Sequence, residues 1–261
     1  MLSLTWLTLA LSALTCAQPT LQARDDDGND PEIWTPTLKA YYETLGKKVE
    51  KIRDAPGFPG APECKLSSVT RPIANPPLPT PAAGQELMHV AIGRGTQNYT
   101  CADSSSSTKP VPIGAKAKLY NASCFAGPYP DLVEQMPRVA LQCEVPENEE
   151  KFKPLGLELS GHHFFPDATS PTFYMNTRID SFGLCIAGKK AASPAPSNAP
   201  KGPNGQGYGA VPWLYLEAKA GSTGFKTVYR LHTAGGLPPP TCDGMGGAFE
   251  VQYAAQYWFY Q

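Results

Sequence analysis

Few side chains in this 261-residue chain are obvious candidates for chemistry, and they are scattered. Four histidines occur, His89, His162, His163 and His232, and none falls in the HExxH spacing that puts two metal ligands on one helix face. His162 and His163 are adjacent, so on a strand they point to opposite faces and cannot clamp one ion. No GxSxG elbow presents a nucleophilic serine. His163 and His232 are therefore the candidate acid/base groups, with Arg230 and Asp243 as polar partners. Trp213, Arg230 and His163 form a candidate ligand-binding set, expected to line one pocket or groove together with His232, because an aromatic face beside charge-assisted donors suits a sugar or a carboxylate. The competing reading places Trp213 in the core, pairs Arg230 with a carboxylate, and makes Gly235-Gly236 a turn. No metal site and no cofactor is expected.

Two glycine-rich segments invite a nucleotide-binding reading and fail it. Gly93-Arg94-Gly95-Thr96-Gln97-Asn98 follows a strand-like run, but a dinucleotide fingerprint needs a third Gly where Asn98 stands and a helix to receive the pyrophosphate. A β-turn is the expectation here. Gly244-Met245-Gly246-Gly247 is followed by a period-two run, which is equally unsuitable.

The elements that must position these residues are mostly strands. Gly and Pro together make up about one-fifth of the chain, against roughly 12% in ordinary domains, which rules out a helical bundle. Hydrophobic residues at 41% are enough for a core. A formal charge of -1 gives no basic field for nucleic acid or for a membrane surface. Strand composition covers 87–92, 138–145, 155–159, 211–218, 225–233 and 248–260. In the last run Phe249, Val251, Tyr253, Ala255, Tyr257 and Phe259 alternate with Glu250, Gln252, Ala254, Gln256, Trp258 and Tyr260. Trp258 and Tyr260 lie on its more polar side and, with Tyr208 in a Gly-rich loop, are expected to be exposed. One amphipathic helix is expected at 35–54, where Thr35 caps and Leu38, Tyr41, Tyr42, Leu45, Val49 and Ile52 form a stripe. A proline-rich strap follows to about residue 83, and surface loops fill 104–112 and 193–209. The expected fold is mainly β, an antiparallel β-sandwich or barrel with an added N-terminal amphipathic helix and long Pro/Gly-rich loops.

The first 17 residues are uncharged and apolar and end in Thr15-Cys16-Ala17, as a secretory signal peptide would. An acidic leader follows at 18–33, then helix and strap at 34–83, and a β-rich domain at 84–261. Outside the signal, Cys64, Cys101, Cys124, Cys143, Cys185 and Cys242 form an even set that allows three disulfides in 15 connectivities. Asn98 and Asn121 head glycosylation sequons. The expected address is secreted, extracellular or cell wall, with no nucleic-acid partner and no membrane association after signal cleavage.

Gly161-His162-His163-Phe164, Val211-Pro212-Trp213, Arg230-Leu231-His232-Thr233-Ala234-Gly235-Gly236 and Tyr253-Ala254-Ala255-Gln256-Tyr257-Trp258 occur together and in order. From about Leu78 to Gln261 the chain resembles a secreted fungal and bacterial family, the domain of unknown function 3455. The resemblance implies that Cys101 pairs with Cys242, leaving three pairings for the other four cysteines. It also implies a malate dehydrogenase label, common among fungal members; the incomplete fingerprint and the absence of alternating β and α elements argue against it. The expected function is a non-catalytic extracellular ligand-binding protein, its ligand a polysaccharide or another extracellular molecule. The alternative is an extracellular enzyme with a histidine acid/base site.

Overall fold

A computed structural model describes residues 64–144, 151–152, 155–177 and 181–261. The expected signal segment, acidic leader and 35–54 helix lie outside the described residues.

The strands are β1 (Leu87–Cys101), β2 (Val111–Asn121), β3 (Lys151–Phe152), β4 (Leu157–Phe164), β5 (Thr172–Asn176), β6 (Ser181–Ser193), β7 (Trp213–Ala218), β8 (Thr227–Gly235) and β9 (Gly247–Tyr260). Two helices, α1 (Ser123–Ala126) and α2 (Pro130–Leu141), separate β2 from β3. The sheet order is β2-β1-β9-β8-β7-β6-β5-β4-β3, and an extra β2–β4 pairing joins the two sides of the sheet. Eight strands thus close into an antiparallel barrel, with β3 as a short flap on β4, and closure removes the edge strands that an open sheet would leave.

Closure creates two cores. Inside the barrel pack Ala91, Ala115, Ala117, Leu119, Phe173, Met175, Cys185, Ala187, Tyr253, Ala255, Tyr257 and Phe259 with their neighbours. Outside, α2 and the proline-rich strap cover one wall, burying Leu78, Val133, Met136, Trp213, Tyr229, Leu231, Ala254, Trp258 and Tyr260. The strap is held by the Tyr229 hydroxyl, which donates to Pro79 O at 2.7 Å, and by Arg71 lying 4.1 Å over the Tyr229 ring.

Several expectations change here. Trp258 and Tyr260 are buried, because β9 has the lumen on one side and α2 and the strap on the other; Tyr208 is exposed. Residues 138–141 finish α2 instead of starting a strand, and their hydrophobic alternation belongs to a helix end. Pro130 occupies the start of α2 and Asp131 suits the positive end of its dipole. Pro137 lies inside the helix and lacks an N–H for Val133 O; the buried Gln256 side chain supplies that bond instead, Nε2 donating to Val133 O at 2.7 Å.

Gly93 and Gly95 lie in the middle of β1, so the expected turn is an uninterrupted strand. Their lack of a side chain allows close packing. A Cβ on Gly93 would come within 2.5 Å of the Tyr257 ring, and one on Gly95 within 2.6 Å of Ala117 Cα. Arg94 between them points outward and is fully buried. Its guanidinium donates to Cys143 O (2.8 and 3.1 Å), Leu141 O (3.4 Å), Gly95 O (3.0 Å) and Tyr253 O (3.3 Å), and to Gln252 Oε1. It clamps the carbonyl end of α2 to the barrel wall. Burial lowers its pKa to about 10.

Two disulfides join pairs of described residues. Cys101 is bonded to Cys242 and Cys64 to Cys124, with Cα separations of 5.8 and 4.6 Å. Cys185 corrects the expectation that all six cysteines are bridged: it is a free thiol facing the lumen, and burial pushes its pKa up to about 12. No helix among the described residues is long and apolar enough to cross a membrane.

Candidate site on both faces of the β7–β8 wall

Inward and outward residues alternate along β8. Val228 and Arg230 face the lumen, while Tyr229 and Leu231 face α2 and the strap. A register shift between Leu231 and Ala234 then interrupts the alternation. His232 sits in this bulge at φ 43°, in the left-handed region that few residues other than glycine adopt. The bulge turns its ring onto Trp213, with centroids 4.7 Å apart.

The four residues expected in one pocket are thus divided between two. Trp213 and His232 lie outside the barrel in a pocket of about 130 Å³, with Glu134 and Arg138 from α2 and Asn198 from the β6–β7 loop. The rim is pinned on several sides. Thr233 Oγ1 donates to Val211 O at 2.5 Å, Gly235 N to Pro200 O at 2.8 Å, and Asn204 N to Gln142 Oε1 at 2.7 Å. Burial holds the His232 pKa below its ordinary value, while the Glu134 carboxylate acts in the opposite direction. Trp213 is 3% exposed, and its indole Nε1–H has no acceptor among the described residues.

Arg230 and His163 face the lumen. The Arg230 guanidinium donates through Nε and Nη2 to Pro212 O, at 3.2 and 2.9 Å, just before β7. His163 stacks on Phe173 with centroids 4.4 Å apart, and its Nδ1 lies 3.0 Å from Thr172 O, which assigns the proton to Nδ1. Burial pulls its pKa down to about 4; the Thr172 carbonyl opposes this and the Arg230 charge adds to it.

The remaining candidates are spread out. His89 is buried with Nδ1 3.1 Å from Ser123 Oγ and Nε2 3.0 Å from Ser160 Oγ, and burial lowers its pKa to about 3. His162 is on the outer face; partial burial, then the Lys118 charge, keeps it below its ordinary value. Asp243 is exposed on the turn after Cys242 and bonds to no histidine. Asn98 and Asn121 are both half-buried on strands, their side-chain oxygens accepting from Thr96 Oγ1 and Ser123 N, each at 3.0 Å. No cluster of three or more His, Cys, Asp or Glu among the described residues could hold a metal ion.

Glu134, Arg138 and Asn198 were not legible as pocket residues. Two come from a helix whose C-terminal part has strand-like alternation, and the third comes from a loop. Gln97, Tyr99, Tyr253 and Tyr257, which gather around Arg230, became recognisable only once β1, β8 and β9 were known to be neighbours.

No curated protein and no solved structure matches the chain. The family model described as "Protein of unknown function (DUF3455)" matches residues 81–261, a span that includes β1 to β9 and both faces of the β7–β8 wall, and the chain therefore belongs to that family.

Proposed function

We propose that the protein is a secreted, disulfide-bonded glycoprotein that binds an extracellular ligand in the Trp213–His232 pocket without transforming it. The observation that carries this reading is that Trp213 lines the pocket while its indole N–H, a buried donor, has no partner among the described residues. An orphaned buried donor costs about 1–3 kcal/mol, which a ligand oxygen would recover. The pocket's surroundings suit a hydroxylated molecule: Glu134 accepts from hydroxyls, and Arg138 and the Asn198 amide donate to them. A volume near 130 Å³ admits only part of a sugar unit at a time, so the ligand class is a cell-wall or host polysaccharide whose ring edge enters the pocket.

Binding is favoured over catalysis because the histidines do not converge: His163 is inside the barrel, His232 outside it, and His89 is enclosed by two serine hydroxyls. A dehydrogenase activity has no support from Gly93 and Gly95, which sit mid-strand with no helix N-terminus beside them to receive a pyrophosphate. The test is depletion of mature protein from solution by insoluble chitin, glucan or cellulose. Wild type should be captured by one of them, and Glu134→Gln with Arg138→Met should abolish capture at unchanged Tm. Equal recovery of wild type from all three supernatants would remove the polysaccharide reading.

A further inference from the structure

We infer that the barrel lumen contains a second binding site, for a carboxylate anion, centred on Arg230. This inference is independent of the outer pocket. It starts from a contrast between two buried arginines. A guanidinium has five N–H donors. Arg94 directs its donors to four backbone carbonyls and a carboxamide oxygen. Arg230 has one backbone acceptor, Pro212 O, which takes bonds from two of its nitrogens, and the Tyr257 hydroxyl lies within reach of its side chain.

What surrounds Arg230 is rich in donors and poor in negative charge. Its charge reaches the hydroxyls of Tyr99, Tyr253 and Tyr257 and the ring of His163. All four are neutral groups. No carboxylate among the described residues is paired with Arg230. The Tyr253 and Tyr257 hydroxyls are 2.9 Å apart, and a single bond between them uses only one of their two protons. Gln97 projects into the same lumen from β1, beside Tyr253 and Gly236; its buried Nε2 makes no well-formed hydrogen bond among the described residues, the Tyr253 hydroxyl being the one group close enough to interact with it.

A buried cation with no counter-ion is costly relative to one in water. An unmatched amide donor beside it adds to the cost. A group with one negative charge and two acceptor oxygens satisfies both, and a carboxylate has that form. The members of the cluster differ in access. Arg230 is 8% exposed, Gln97 9% and Tyr99 6%, whereas Tyr253 and Tyr257 are closed off. The Arg230 and Gln97 side chains thus lie nearest the open end of the cluster, although the Gln97 Nε2 atom is itself buried.

The experiment uses the mature full chain with 15N labelling, titrated with sodium acetate and, separately, sodium glucuronate, against sodium chloride at equal ionic strength. The Arg230 Nε–H and the Gln97 side-chain amide should shift together and saturably. Acetate alone sufficing identifies a simple carboxylate, and a response to glucuronate only identifies a sugar acid. At 100 times Kd the Tm should rise by about 5–10 °C over the chloride control. Gln97→Leu should weaken binding about ten-fold or more, and Arg230→Gln should abolish it. Failure of either wild-type signal to move saturably overturns the proposal, as does retention of wild-type affinity in a folded Gln97→Leu protein. Movement of the Trp213 indole signal alone would place the anion in the outer pocket and also overturn it, while loss of polysaccharide capture would leave it untouched.

Discussion

Replacing Gly95 with alanine tests whether the Gly93-Arg94-Gly95 segment is barrel wall. The added methyl faces β2, where it would stand 2.6 Å from Ala117 Cα and 2.8 Å from Ala117 Cβ and closer still to Lys116 O. All of these are backbone atoms or a methyl fixed to backbone, so no side-chain rotation can relieve the contact, and β1 and β2 must separate locally. Overpacking that forces backbone shifts costs typically 1–3 kcal/mol, and the absence of any flexible neighbour puts Gly95→Ala at about 3 kcal/mol or more. For a domain of this size that is a Tm fall of about 6–12 °C. Gly93→Ala is the informative partner. Its methyl would meet the Tyr257 ring at 2.5 Å and Leu119 Cδ2 at 3.2 Å, both side chains that can yield. It should cost about 1–3 kcal/mol, and Tyr257→Leu should recover much of that in a double-mutant cycle while rescuing nothing in Gly95→Ala. The assay is urea denaturation of the oxidised protein, monitored by far-UV circular dichroism. If Gly95→Ala were as stable as wild type within 0.5 kcal/mol, the close approach of β1 and β2 would be wrong.

Three other perturbations address the supports around this wall. Gln256→Leu leaves Val133 O and the Trp258 indole N–H without partners and should cost about 2–4 kcal/mol, less in a Pro137→Ala background where the helix regains its own N–H donor; denaturation of the four proteins measures the coupling. Removing the Cys101–Cys242 bridge should cost about 5 kcal/mol and removing Cys64–Cys124 about 4, from loop separations of 141 and 60 residues; the reverse order would argue against chain entropy as the cause. His89 and His163 have folded pKa values near 3 and 4, below the ordinary 6.5, so the unfolded chain takes up protons that the folded chain refuses. Their contribution is complete above pH 6.5 and is lost as pH falls towards the folded values, about 4 kcal/mol for the pair between pH 7 and pH 5; His163→Asn should show roughly half that pH dependence.

The sequence is most readable where one face of an element is apolar and the other is not. The opposite orientations of His162 and His163 follow from strand geometry alone, and the closing period-two run lies within β9. Burial on both sides defeats that logic: the polar-looking side of β9, with Gln256, Trp258 and Tyr260, lies under α2 and the strap. The strands β2, β5 and β6 gave no signal for a different reason. The inward residues of β2 and β6 include Ala115, Ala117 and Ala187, small enough to pack against the aromatic rings that β5 and β9 send into the lumen but too weak to mark a strand. In α2, Pro137 hides the helical spacing of Val133, Met136 and Ala140. The division of Trp213 and His232 from His163 and Arg230 was not readable either, because it depends on closure of the barrel and on a bulge that places His232 on the outer side.

The most direct measurement of the binding claim is the Trp213 indole signal in a 1H–15N spectrum during titration with soluble chitin, glucan and cellulose oligosaccharides. The indole N–H should move downfield and saturate with one of them as it gains an acceptor, and Glu134→Gln should weaken that response without moving the folded spectrum. An oligosaccharide that binds, shifting other signals while the Trp213 indole stays fixed, would contradict the assignment of the ligand to this pocket.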